Sequence, residues 1–197
     1  RKTARQLGRP VAILADIQGP KLRMGMLEDN SRELELDQVL TVLPGDGSAK
    51  PGELYFNFKG FLEAAKPGHR ILLADGAAEV VIEDLDRRQM KVRVVRGGTV
   101  ASRRGVNMPD TQLAISLPTE KDVVDIQVAR QMGVEILGIS FVASARDIEA
   151  VRELAPEPLI VSKIERKLAL ERLDEILRAS DGIMVARGDL GVELEPY

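Results

Sequence analysis

The chain is 197 residues long, 44% hydrophobic and 30% charged, enough to bury a core and close to the usual size of one domain or two small ones. Its formal net charge of -3 comes from interspersed residues of both signs, and only 3% of residues are aromatic, so nucleic acid is not expected as a partner. The absence of cysteine excludes a disulfide framework and zinc-thiolate sites. The longest uncharged runs, such as Ile136–Ala145, fall far short of a membrane span, and Arg1-Lys2-Thr3-Ala4-Arg5 leads into no apolar signal core, so no membrane contact and a cytoplasmic location are expected.

In chain order, Val11–Ala15 reads as a buried strand ending at Asp16 and followed by Ile17-Gln18-Gly19-Pro20. Between about Asp37 and Asn107 the pattern becomes short alternating segments broken by turn residues. These are Leu40–Leu43 before Pro44-Gly45-Asp46-Gly47, Ile71–Ala74 before Asp75-Gly76, Glu79–Ile82, and Met90–Val95 before Gly97-Gly98. Such period-two segments predict a small antiparallel β domain.

From Leu117 the period lengthens. Thr119-Glu120-Lys121-Asp122 predicts a capped helix start, with Val124, Val128 and Met132 at four-residue spacing as its apolar face and Gly133 as its stop. Strand Val134–Val142 follows. Ser144 with Asp147 opens a second helix whose Ile148, Val151 and Leu154 share a face, and Leu159–Ile164 is the next strand. A third helix over Leu168–Ala179, with Leu173, Ile176 and Leu177 inward, leads to strand Ile183–Ala186 and the turn chemistry of Gly188-Asp189-Leu190-Gly191.

Strand and helix alternating at this spacing imply parallel strands with right-handed crossovers. A doubly wound sheet competes, but no G-x-G-x-x-G follows a strand, which favours an α/β fold that is part of a (β/α)8 TIM-type barrel interrupted by an inserted antiparallel β-barrel domain. The expected division is 1–20 and 113–197 for the barrel and 21–112 for the insert.

The C-terminal strand ends of such a scaffold share one face. Reading them off gives Asp16, Ser140 with Phe141, Lys163 with Glu165, and Arg187 with Asp189. Glu165 and Asp189, at the ends of adjacent strands about 5 Å apart, could share a hard divalent cation. Lys163 alternates with Ile164, which places its ammonium on the same side as Glu165, where it could stabilise a developing oxyanion. Two plainer readings stand beside these: Lys163–Glu165 as an exposed ion pair and Asp189 as a helix N-cap. Gly188 and Gly191 would also permit a backbone nest for an anion.

The segments "VAILADIQGPKLR", "GTVASRRGVN", "GISFV", "SKIE" and "DEILRASDGIMVARGDLGVE", in this order and spacing, closely resemble pyruvate kinase over essentially the whole chain. The resemblance implies phosphoenolpyruvate and ADP as substrates, ATP formation in glycolysis, Mg²⁺ or Mn²⁺ as cofactor and a homo-oligomer, a tetramer, in the full-length form. By the same resemblance Glu165 and Asp189 match the metal carboxylates, and the backbone of Ala186, Arg187, Gly188 and Asp189 matches the part that holds the substrate carboxylate. Lys163 matches the lysine that neutralises the transferring phosphoryl group and the enolate oxygen, while Ser140 and Phe141 match residues lining the substrate pocket. Arg23, Asp75 and Arg104 match positions near the nucleotide, with a solvated hinge residue (Arg23, Arg104) or a β-turn residue (Asp75) as the alternative. The lone His69, in a Pro-Gly-His-Arg turn, is expected to be solvated.

Many members of the family require K⁺ and carry Thr-Lys-Gly-Pro-Glu where this chain has Ile-Gln-Gly-Pro-Lys, over Ile17–Lys21. In that monovalent-cation region, formed with Asp16 and Ile17, the ammonium of Lys21 is expected to supply the charge that K⁺ otherwise brings, so that K⁺ is not required. The count of four parallel strands, half of what a barrel needs, leads us to expect a fragment with open strand edges, catalytically silent alone and prone to associate. Other expectations remain open: an aldolase-like Mg²⁺ barrel enzyme acting on pyruvate or phosphoenolpyruvate, or a non-catalytic remnant.

Overall fold

Stretches of period two and stretches of period near four fold into different units. The computed structural model describes residues 1–58, 60–113 and 116–194; the closing Glu195-Pro196-Tyr197 lies outside the described residues. Contacts group Arg1–Pro20 with Ser116–Arg187, and Lys21–Ile115 with Gly188–Tyr197.

In chain order the elements begin with α1 (Lys2–Gln6), β1 (Leu14–Ile17), β2 (Met26–Leu27), β3 (Ser31–Leu34), β4 (Val39–Pro44), β5 (Ser48–Ala49), β6 (Glu53–Phe56) and α2 (Phe61–Ala64). They continue with β7 (Arg70–Leu73), β8 (Ala78–Leu85), β9 (Met90–Arg96), β10 (Gly98–Ala101) and β11 (Val106–Asn107). The last are α3 (Glu120–Gln131), β12 (Ile136–Ile139), α4 (Ala145–Leu154), β13 (Leu159–Ile164), α5 (Lys167–Glu171), α6 (Leu173–Ala179), β14 (Gly182–Val185) and α7 (Arg187–Glu193).

The first unit is a parallel sheet in the order β1-β12-β13-β14, with α3 against β1 and α4 against β13. This is the strand–helix repeat of a partial (β/α)8 barrel. Ile17, Leu137, Ile139, Ile160 and Ile164 are buried. The alternate positions Asp16, Val161 and Lys163 are more exposed and belong to the opposite face.

Three expectations about this unit shift. The first strand begins three residues later and ends two later than the apolar run predicts, so Asp16 and Ile17 are inside β1, paired with Gly138 and Ile139; Val11 is exposed instead. Helix α3 starts as expected, with Thr119 and Asp122 exchanging hydrogen bonds at 3.2 and 2.9 Å, but it buries Asp122, Ile126 and Ala129 and leaves Val124, Val128 and Met132 exposed. A spacing of four marks one face of a helix without saying which face the sheet takes. The third helix breaks at Arg172 into α5 and α6; Ile176 is buried and Leu177 is exposed.

The second unit contains a sheet in the order β11-β7-β8-β9-β4-β6 and the two-stranded pairs β10-β3 and β2-β5. Pairing is mainly antiparallel as expected, though β4–β6 and β2–β5 are parallel. Its core is self-contained within Leu22–Met108, and includes Phe56 and Phe61 in an edge-to-face contact with centroids 5.3 Å apart. The four-residue β7–β8 connection places Ala74, Asp75 and Gly76 at φ of 52°, 58° and 88°, three successive residues in the left-handed region.

Among the described residues no helix is long and apolar enough to cross a membrane. The face reversal on α3 is testable: Ile126→Ala should destabilise the protein by about 2–5 kcal/mol, while Val124→Ala should stay within about 0.5 kcal/mol. Urea denaturation of the two variants measures both; equal losses would overturn the assignment of faces.

Candidate active site

Three neighbouring strands of the parallel sheet deliver their polar residues to one spot. Asp16 lies in β1, Ser140 directly follows β12, Lys163 is in β13 and Glu165 is the residue after it. The Lys163 Nζ stands 3.1 Å from each oxygen of the Asp16 carboxylate, 2.9 Å from Ser140 Oγ and 3.1 Å from Glu165 Oε1. Ser140 Oγ donates to Asp16 Oδ1 at 3.1 Å, and the Phe141 N–H donates to Glu165 Oε2 at 2.8 Å. Phe141 makes that bond from the left-handed region, at φ 59°, a conformation that costs a bulky residue energy and that the surrounding contacts must hold.

The plain reading of Lys163–Glu165 as an exposed ion pair is corrected here. Glu165 is 1% exposed and the Lys163 side chain 14%. Burial opposes the ammonium, but the field of Glu165 and the hydrogen bonds that the ammonium donates to Asp16 and Glu165 outweigh it, and the Lys163 pKa is raised above the usual lysine value. Asp16 presents its carboxylate to the same ammonium as Glu165.

Two further residues fix this cluster. Gly19 has φ +65°, and a Cβ on it would fall 2.6 Å from the Ser140 carbonyl oxygen, so only glycine fits. Its N–H donates to Asp122 Oδ1 at 3.1 Å. Sequence reasoning found Asp122 only as a helix cap; its bond to a residue 103 positions away leaves no local signal.

Beyond β14, the Ala186 N–H continues the pairing to Ile164 O at 3.2 Å. The expected turn at Gly188-Asp189-Leu190-Gly191 is instead helix α7, which begins at Arg187. Asp189 is therefore in the first helical turn, neither an N-cap nor a strand end, and Gly188 and Gly191 are helical, so no nest forms from them. Its Oδ1 lies 3.1 Å from Lys21 Nζ. Elsewhere in the second unit, Arg104 reaches Asp75 at 3.5 Å, and Arg23 donates through its guanidinium to the Arg103 carbonyl at 3.2 Å. Gly105 makes room for this group: a Cβ there would meet Asp75 Oδ1 at 2.5 Å and Lys21 Cε at 3.2 Å. His69 is not simply solvated: it is half-buried, with Nδ1 2.9 Å from the Thr111 hydroxyl.

Among the described residues no group of three or more His, Cys, Asp and Glu could hold a metal ion. Glu165 in the first unit and Asp189 in the second are each, taken singly, the kind of oxygen donor that a hard cation such as Mg²⁺ takes, the ion being held by one or two carboxylates with water and substrate supplying its other oxygens.

Because the folded Lys163 pKa is raised, the stability this site contributes is present at neutral pH and is lost only as pH climbs through that value, above the ordinary 10.5. Asp16→Asn should lower the Lys163 titration midpoint relative to wild type, read by NMR of the labelled ammonium; an unchanged midpoint would show that Asp16 does not hold the charge.

Comparison with known proteins gives these residues a context. A family model described as "Pyruvate kinase, barrel domain" matches residues 1–196. The chain is 38% identical to the pyruvate kinase of Methylorubrum extorquens over 98% of its own length and 41% of that protein's. It is 40% identical to the pyruvate kinase of Thermotoga maritima over 94% of its length and 41% of the relative's, and 34% identical to that of Corynebacterium glutamicum over 98% and 42%. The chain thus spans about two fifths of the length of the curated relatives it matches. A match that runs from one end of the chain almost to the other, and includes every strand that carries the Lys163 cluster, places this chain in the pyruvate kinase family.

Proposed function

We propose that this chain is part of an enzyme that moves the phosphoryl group of phosphoenolpyruvate to ADP, giving pyruvate and ATP. The observation that carries the reading is the Lys163 ammonium, held at the strand ends by Asp16, Ser140 and Glu165 and kept charged at neutral pH. Phosphoryl transfer needs positioning and charge neutralisation more than covalent help. Residues 21–112 are read as the inserted lid and the remainder as barrel.

Lys163 neutralises the phosphoryl group as its bond to the enolate oxygen breaks and the bond to an ADP phosphate oxygen forms, then balances the charge left on the enolate oxygen. The enolate takes a proton at carbon to become pyruvate. The backbone of Ala186, Arg187, Gly188 and Asp189 orients the substrate carboxylate, and Ser140 and Phe141 line the substrate pocket. Arg23 and Arg104 face the nucleotide phosphates, and Asp75 lies near the nucleotide. Glu165 and Asp189 would hold Mg²⁺ or Mn²⁺, which when bound supplies Lewis-acid neutralisation of phosphoryl oxygens. Lys21 provides the positive charge of the Asp16–Ile17 region, so the enzyme works without K⁺; its partial burial and its bond to Asp189 support a role other than a solvated lysine.

A coupled assay on the full-length protein should detect pyruvate from phosphoenolpyruvate and ADP, and Lys163→Met should lower kcat by about a hundredfold or more. Retained activity in that variant would remove Lys163 from the chemistry. Glu165→Gln should weaken Mn²⁺ binding severely; unchanged binding by calorimetry takes Glu165 out of the metal site. The wild-type rate should persist in K⁺-free, NH₄⁺-free buffer at constant ionic strength, and Lys21→Glu should create a K⁺ requirement. A collapse of the wild-type rate there would sink the K⁺ proposal.

A further inference from the structure

Each carboxylate proposed to bind the divalent cation already has an ammonium against it. Lys163 Nζ lies 3.1 Å from Glu165 Oε1, and Lys21 Nζ lies 3.1 Å from Asp189 Oδ1. Lys163 belongs to the chemistry itself, whereas the charge proposed above for Lys21 does not say what its contact with Asp189 does for that carboxylate. That pair is partly enclosed, with side chains 22% and 29% exposed. Both partners are fixed in place. Lys21 Cε lies over Gly105, 3.2 Å from where a Cβ would be, in space that only glycine leaves open. Asp189 sits on α7, which is tied to the same unit by Asn107 Nδ2 donating to Glu193 Oε1 at 3.3 Å and by Val192 lying against Gly76.

We propose that Lys21 is a built-in counterion that occupies Asp189 in the metal-free protein and is displaced when a divalent cation binds there. The inference rests on Asp189 being a cation ligand, as proposed above. An ammonium and a divalent cation cannot both stay in contact with one carboxylate oxygen without strong mutual repulsion. A half-enclosed carboxylate left bare would carry a desolvation cost, which the lysine relieves. Lysine suits exchange, since it is a compact, strongly hydrated point charge on a flexible stem; a guanidinium would grip a carboxylate with a planar fork and release it less readily. Cation binding at Asp189 is then an exchange of one positive charge for another, and its apparent affinity includes the work of moving Lys21 aside.

The test is Mn²⁺ binding to the full-length protein without substrate, followed by paramagnetic resonance of the free ion and by calorimetry. Lys21→Met should bind Mn²⁺ roughly three- to tenfold more tightly than wild type, the scale of a partly exposed ion pair plus relief of cation repulsion. Lys21→Arg should bind no more tightly than wild type, and Asp189→Asn should bind much more weakly whether or not Lys21 is also changed. If Asp189→Asn weakens binding but Lys21→Met does not tighten it, the counterion role is overturned while the metal reading stands. If Asp189→Asn leaves Mn²⁺ binding unchanged, Asp189 is not a ligand and the proposal falls with that reading. Should Lys21→Met lose its native circular dichroism, Lys21→Gln, uncharged and still polar, carries the same comparison.

Discussion

The candidate site depends on one interaction, the Lys163 ammonium bound at once to Asp16, Ser140 and Glu165. A carboxylate as buried as Glu165 is costly unless a charge and hydrogen bonds replace the water it has lost. The lysine supplies the charge and the Phe141 N–H supplies a bond. Among the described residues no buried side-chain nitrogen or oxygen lacks a partner, so the cost is met locally. The arrangement requires three strands in a defined register: Asp16 opposite Gly138, and Ile139 opposite Ser162, bring β1, β12 and β13 level. A slip of one residue in β13 would turn Lys163 to the face that buries Ile164.

The second unit solves a different problem. Its strands are short and its apolar residues alternate, so it closes its own core, Leu22 to Met108, from pairings within its own strands. That independence lets it be inserted after a barrel strand without borrowing apolar surface from the parallel sheet. Lys21, Asp75 and Arg104 come together where backbone rather than side chain yields space, at Gly105 and the left-handed Ala74–Asp75 turn.

Much of this was legible in the sequence. The capping pairs Thr119–Asp122 and Ser144–Asp147 mark helix starts that the structure has, and Leu159–Ile164 is a strand to the residue, because a bounded apolar run after a proline-rich break leaves little choice. The alternation of Lys163 with Ile164 foretold which side the ammonium takes. What failed were choices that tertiary packing makes. The exposed Val124–Val128–Met132 stripe has the same spacing as the buried one. The shift of β1 follows from its register with β12 and not from its own hydrophobicity. Gly188 and Gly191 read locally as a turn, and seven residues from Arg187 form a helix regardless, since a glycine costs a helix only about 1 kcal/mol. Long-range bonds such as Gly19 to Asp122 have no local pattern to read.

That last bond shows how the parallel sheet governs the segment leaving β1. Gly19 is held from one side by the Asp122 carboxylate and from the other by the Ser140 carbonyl, against which any side chain would collide. Asp122 is itself fixed as the third residue of α3 by its exchange with Thr119. The helix start, the end of β12 and the segment leaving β1 therefore form one rigid knot inside the first unit. Ser140 belongs both to this knot and to the Lys163 cluster, so a disturbance at Gly19 reaches the ammonium through a single residue. Rigidity of this kind is what the role proposed for Lys163 requires, since a catalytic group must be held within about 0.5 Å of its productive position.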